Sequence, residues 1–195
     1  IELGIAWCRE RILLQRPRVV AHGDFRIGNV MVDAHGVVAV LDWEFAHLAD
    51  PAEDLAWPLL RAWRFGADER RLGGVGDVEP YLERYVESTG RDVRLEELYA
   101  WEVLGNCKWA IGSLTQARRH LRGEERSVEL AILGRLAVEM EYELLDLIPS
   151  PDDRLKPVAA CHRRVTTALT IAQQHSQARP TANPATTSLT KWTLS

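Results

Sequence analysis

The sequence predicts an α+β chain, mostly helical, with one small β-hairpin. Two observations carry that reading. Apolar residues recur at three- and four-residue spacing over most of 79–149, the period of a helix that buries one face. Between residues 30 and 41, two short runs rich in valine flank a turn-forming tetrapeptide, the pattern of paired strands.

Taken in order, residues 1–16 read as a helix with Ile5, Cys8, Ile12 and Leu13 along one stripe, ended by Pro17. Arg18-Val19-Val20-Ala21 leads into a loop. Val30-Met31-Val32 is strand-like, Asp33-Ala34-His35-Gly36 turns, with Gly36 able to take positive φ, and Val37 to Leu41 returns. Asp50-Pro51 reads as a helix start, Asp50 as N-cap and Pro51 in the first helical position. From there Leu55, Leu59 and Ala62 share a face to about Phe65, with Trp57 and Trp63 as packing or cleft-lining residues. Residues 66–77 are glycine-rich and polar, a flexible connection. Glu79 to Thr89 is a helix stopped by Gly90; its Glu79, Glu83 and Glu87 share a solvated face or rim a cationic substrate. Residues 93–122 form a long helix, interrupted in its apolar logic by Gly105-Asn106-Cys107-Lys108-Trp109. A close approach there would leave Asn106 and Lys108 as candidate substrate contacts. A last helix runs from Ser127 to Pro149 on a core stripe of Leu and Met.

Residues 1–150 read as one domain. Residues 151–195 read as one amphipathic helix (Val158, Cys161, Val165, Leu169) followed by a disordered tail from 179.

The chemistry is concentrated between His22 and Asp54. Phosphoryl transfer needs a carboxylate to orient and deprotonate the attacking hydroxyl, and oxygen ligands for the magnesium that bridges the phosphates. Asp24 and Asn29 lie at opposite ends of one short loop. An antiparallel hairpin returns Asp42, just past its second strand, beside that loop. One base and two metal ligands would thus meet around a common cation. A charge directly after Val37-Val38-Ala39-Val40-Leu41 would be costly in a core unless paired or metal-bound.

His22-Gly23-Asp24, then Asn29, then Leu41-Asp42-Trp43-Glu44, and after them Asp50-Pro51-Ala52-Glu53-Asp54-Leu55-Ala56, resemble the aminoglycoside/choline phosphotransferase family, small-molecule relatives of protein kinases. The protein-kinase pattern is H-R-D-x-x-x-x-N followed by D-F-G; here Gly23 replaces the Arg and Trp43-Glu44 replaces Phe-Gly. The resemblance is strong over 19–60, fair to about 148 and absent beyond. It implies the C-terminal lobe of a protein-kinase-like fold and an ATP- and Mg²⁺-dependent phosphotransferase acting on a hydroxyl of a small molecule. It further implies Asp24 as base, Asn29 and Asp42 as ligands of magnesium and nucleotide, and Glu44 as an aid to a second ion or a brace of its loop. His22 is then a loop-holding residue or a general base, and Arg26 a contact to the transferred phosphate or a solvated loop residue. Asp54 pins the catalytic-loop backbone or is an exposed first-turn acid, and His47 is a loop or substrate residue. Such an enzyme needs an N-terminal lobe with a glycine-rich cover and a strand Lys, which the residues before His22 do not supply. The chain is therefore expected to be a C-terminal lobe whose N-terminal lobe lies elsewhere in a parent protein, or a non-catalytic binding remnant. A metal-dependent hydrolase using His22, Asp24, Asp42 and His47 is a third reading.

Charge narrows the partners. Residues 151–195 hold six Lys/Arg and two Asp/Glu, a net of +4; the remaining 150 hold 18 and 26, a net of −8. An acidic body disfavours nucleic acid and suits a cationic small molecule. Three cysteines without a CxxC pair suggest a reducing compartment. No apolar run approaches the roughly 20 residues that cross a bilayer, so the cytoplasm is expected and a membrane is not.

Overall fold

Two antiparallel strand pairs and a set of packed helices make up the computed structural model, which describes residues 1–12 and 17–148. The expectations placed on 13–16 and 149–195, including the second amphipathic helix, the tail and Cys161, lie outside the described residues.

Helix α1 (Glu2–Arg9) lies first, with Gly4 and Cys8 buried. Strand β1 (Val19–Ala21) then leads into the loop that carries His22 and Asp24. A 3₁₀ turn, Ile27–Asn29, opens the hairpin of β2 (Val30–Asp33) and β3 (Gly36–Val40). Val30 faces Val40 and Asp33 faces Gly36, with a register shift between Met31 and Val32. The side chain of Asp33 accepts the His35 N–H at 2.7 Å, and Gly36 has φ 131°; an Asx turn and a glycine close the hairpin as its sequence requires.

Strand β4 (His47–Ala49) pairs antiparallel with β1, Val19 facing Ala49 and Ala21 facing His47. This second sheet was not expected, because three-residue strands leave no period to detect. It returns the chain from the hairpin to the floor of the loop, so that α2 (Pro51–Ala56) starts beside it. Asp50 caps α2, accepting the Ala52 N–H at 2.9 Å, with Pro51 behind it.

Here the expected helix to Phe65 is corrected. Helix α2 ends at Ala56 and gives way to 3₁₀ turns at Trp57–Leu59 and Arg61–Trp63. Pro58 has no N–H to continue an α-ladder, and Leu60 turns out to ψ 138°. The break lets Trp57, Leu60 and Trp63 be buried together, with Trp109 packed on them.

The remaining helices follow their periodicity. They are α3 (Val78–Thr89), closed by Gly90 at φ 67°, α4 (Leu95–Leu121), and α5 (Val128–Leu147), capped by the Ser127 side chain. Gly105 in α4 is required by a close approach: a Cβ there would lie 2.8 Å from Leu60 Cδ1. One core gathers Ala52, Leu55, Ala56, Leu59, Val78, Val93 and Leu98; a second gathers Cys8, Val103, Cys107 and Leu144. Burial pushes the Cys8 thiol up to about 12.

A buried ionic group ties the 57–72 segment to α4 and α5. Arg64 donates to the Leu59 carbonyl (2.6 and 3.1 Å) and to Glu102 (3.2 Å), and Arg71 also meets Glu102. Glu143 lies 3.8 Å from Arg64 and 3.7 Å from Arg61. Alternating signs let these charges be buried together.

Candidate active site

The site is built on the loop between β1 and β2. Its backbone is held from below by α2: the Asp54 carboxylate accepts the N–H of His22 with Oδ2 and that of Gly23 with Oδ1, the latter at 2.9 Å. Gly23 has φ 83°, and a Cβ there would sit 2.4 Å from the Phe45 carbonyl oxygen. A side chain therefore fits neither the dihedral nor the space, which is why glycine stands at this position.

His22 is 3% exposed and both ring nitrogens are engaged. Nδ1 accepts the Asp24 N–H (3.2 Å), and Nε2 lies 2.7 Å from the Leu41 carbonyl. That pair assigns the proton to Nε2. A ring so committed holds the loop; it has no free lone pair with which to act as a base. Its face packs on Trp43, 4.6 Å between centroids.

Asp24 receives three side-chain donors. Trp57 Nε1 donates to Oδ1 at 2.7 Å, while Asn29 Nδ2 (2.8 Å) and Arg26 Nε (3.2 Å) donate to Oδ2. The Arg26 guanidinium also lies 4.9 Å over the Trp63 ring. Asn29 Nδ2 additionally donates to the Asp24 carbonyl at 2.9 Å. Its amide nitrogen is thereby fixed by two acceptors, which leaves Oδ1 as the free ligand atom.

The hairpin brings the Asp42 backbone to the same place. Leu41, its neighbour, donates its N–H to the Asn29 carbonyl (2.8 Å) and accepts from His22 on its other side. Asp42 itself is exposed and adopts φ 66°, ψ 58°, one of two non-glycine residues with positive φ among the described residues. Such conformations are uncommon and concentrate at functional sites. Among the described residues no hydrogen bond or ion pair engages its carboxylate.

A free carboxylate on Asp42 and an amide oxygen on Asn29 are hard donors of the type magnesium takes, with water and phosphate completing its shell. The donor chemistry fits. Among the described residues no three His, Cys, Asp or Glu gather closely enough to hold a metal. Glu44, exposed in the 3₁₀ turn Trp43–Phe45, is thus not brought into a three-carboxylate cluster with Asp24 and Asp42. The hydrolase reading loses its ligand set for the same reason. His47 is turned to the Phe45 carbonyl (2.8 Å) and Glu53 (3.4 Å).

Two residues acquire contacts that sequence reasoning did not assign. Trp57, expected to pack or to line a substrate cleft, donates to the candidate base. Lys108 of α4 lies 4.9 Å over the Trp57 ring, 3.3 Å from Glu53 Oε1 and 3.5 Å from the Gly23 carbonyl. Asn106 is fully buried and donates to the Glu102 carbonyl, so it faces no cleft. Glu79, Glu83 and Glu87 edge an open groove on α3 with Leu82 and Val86 in it.

The family model described as "Phosphotransferase enzyme family" matches residues 2–85. Acyl-CoA dehydrogenase family member 10 of Mus musculus is 33% identical over 103 residues, 46% of this chain and 9% of that protein. Acyl-CoA dehydrogenase family member 11 of Rattus norvegicus is 25% identical over 172 residues, 80% of this chain and 22% of that one. Among solved structures, a candidate aminoglycoside phosphotransferase from Ralstonia eutropha JMP134 superposes with a TM-score of 0.56 at 22% identity, covering 74% of this chain and 48% of the other. The chain thus spans less than half of each of these proteins. Residues 2–85 are similar to the phosphotransferase enzyme family, and the chain carries part of a protein-kinase-like fold.

Proposed function

We propose that this lobe transfers the γ-phosphate of ATP to a hydroxyl of a small molecule. One observation carries the reading: the Asp24 carboxylate is held by Trp57, Asn29 and Arg26 on a loop whose backbone Asp54 clamps. A base held in one orientation, with its loop pre-organised, is what a reaction that depends on positioning requires.

In this reading Asp24 accepts the proton of the acceptor hydroxyl as its oxygen bonds to the γ-phosphorus and ADP departs. Arg26, paired with Asp24 through Nε, keeps a cation beside the place where phosphate charge passes. Asn29 Oδ1 and Asp42 would hold magnesium, which supplies charge neutralisation on the phosphates when bound. Asp54 and His22 keep the loop in place.

The hairpin supports a further part of the reading. Val32, Val37 and Val38 are 60–70% exposed on it, an apolar surface that suits cover by a nucleotide-binding lobe in the parent protein. For the acceptor, the acidic body favours hydroxylated amines over nucleic acid or membrane. Among the described residues no helix is long and apolar enough to cross a membrane, and Cys8 and Cys107 are free thiols. Both suit the cytoplasm, where ATP and magnesium are at hand.

The test is transfer of labelled γ-phosphate from ATP by the whole protein that carries this lobe. The acceptors are an aminoglycoside, choline, a sugar and a hydroxyacyl thioester. We expect one class to be phosphorylated, and Asp42→Asn to raise the magnesium requirement about tenfold or more. Absence of transfer to every class, with ATP bound, would turn the reading to a binding remnant.

A further inference from the structure

We propose that Oδ1 of Asp24 is the atom that takes the acceptor's proton, and that Trp57 is the positioning residue that presents it. The inference rests on the phosphotransferase reading above and deepens it by assigning an atom and a residue that the motif alone does not.

An ionised carboxylate offers about four acceptor positions, two on each oxygen. On Oδ2 both are taken, by Asn29 Nδ2 at 2.8 Å and Arg26 Nε at 3.2 Å. On Oδ1 one is taken, by Trp57 Nε1 at 2.7 Å. The open position therefore belongs to Oδ1, on a side chain that keeps 14% of its surface exposed. A hydroxyl arriving at this carboxylate finds an acceptor only there.

The indole N–H sets where that open position points. Its ring is fixed on several sides: Trp63 at 5.8 Å and Trp109 at 6.4 Å between centroids, and the Lys108 ammonium 4.9 Å over its face. Trp57 is 6% exposed. It also follows Asp54 by three residues, a spacing that puts the two on neighbouring positions of a helical turn. One short stretch thus fixes the loop's backbone through Asp54 and its carboxylate through Trp57. The break after α2, with Pro58 next in sequence, is what frees Trp57 to join the aromatic group while keeping its N–H on Asp24.

In the step itself the hydroxyl O–H bond breaks and its proton goes to Oδ1. The hydroxyl oxygen's electron pair forms the new bond to the γ-phosphorus, and the pair of the breaking P–O bond leaves on ADP. Trp57 donates to Oδ1 before transfer and stays beside it after; it touches neither substrate.

The experiment measures initial rates in the whole protein carrying this lobe, with ATP and the acceptor it phosphorylates, for four forms beside wild type. They are Trp57→Phe; Trp57 replaced by benzothienylalanine, which keeps the indole's shape and lacks the N–H; Asp24→Asn; and Trp57→Phe with Asp24→Asn. A hydrogen bond to a charged group is lost in the first two, so kcat should fall about ten- to a hundredfold, with both KM values within about twofold. The double variant should be no slower than Asp24→Asn alone, since Trp57 acts only through that carboxylate. Retained kcat with benzothienylalanine, a raised KM at constant kcat, or multiplicative losses in the double variant would each overturn the proposal and leave Trp57 as packing. Wild-type kcat in Asp24→Asn would instead overturn the phosphotransferase base assignment itself. Benzothienylalanine preserves volume, so a folding defect in Trp57→Phe leaves the test intact.

Discussion

The carboxylate of Asp54 accepts the backbone N–H of Gly23 at 2.9 Å across 31 residues of sequence, and with its other oxygen that of His22. A helix only six residues long thereby determines the conformation of the loop above it. Asp54→Asn keeps the shape but offers one acceptor oxygen for two donors. We expect a loss of about 2–3 kcal/mol in urea unfolding. Amide exchange at His22 and Gly23 should accelerate, while α4 amides change only with global stability.

Gly23 faces a second constraint, φ 83° with the Phe45 carbonyl where a Cβ would be. Gly23→Ala is expected to destabilise by more than about 2 kcal/mol, read from the shift of the unfolding midpoint. Gly36, also at positive φ but with nothing within 4 Å of a built Cβ, should tolerate the same change with a smaller loss.

Glu143 yields a pH dependence. Burial raises its carboxyl above the usual range; Glu102 adds to the rise, while Arg64 and Arg61 oppose it. A folded value above the unfolded one means the folded state keeps a proton that the unfolded chain releases. Stability from this group therefore falls as pH rises through the folded value. Glu143→Gln removes that slope. Unfolding midpoints of wild type should decline relative to the variant as pH rises above the ordinary Glu value of about 4.3.

Much of this arrangement was legible because its signals are local. The Asp33–Gly36 turn, the Asp50-Pro51 helix start, the Gly90 stop and the stripes of α4 and α5 are each written within a few residues. The spacing of Asp24 and Asn29 placed both on one loop, where Asn29 now donates to Asp24. What escaped depends on partners distant in sequence. Trp57 reaches Asp24 across 33 residues, and Arg64 reaches Glu102 across 38. The pairing of β1 with β4 has strands of three residues each, too short to show a period. The Leu55–Leu59 spacing is helical, yet α2 stops at Ala56 because Pro58 has no N–H with which to continue it.

The most direct measurement is the initial rate of γ-phosphate transfer from ATP to a hydroxyl acceptor by the whole protein, wild type against Asp24→Asn. Both forms should first be matched in thermal unfolding. Loss of a general base should lower kcat at least about a hundredfold, with ATP binding retained. Equal rates in the two forms would contradict the central claim.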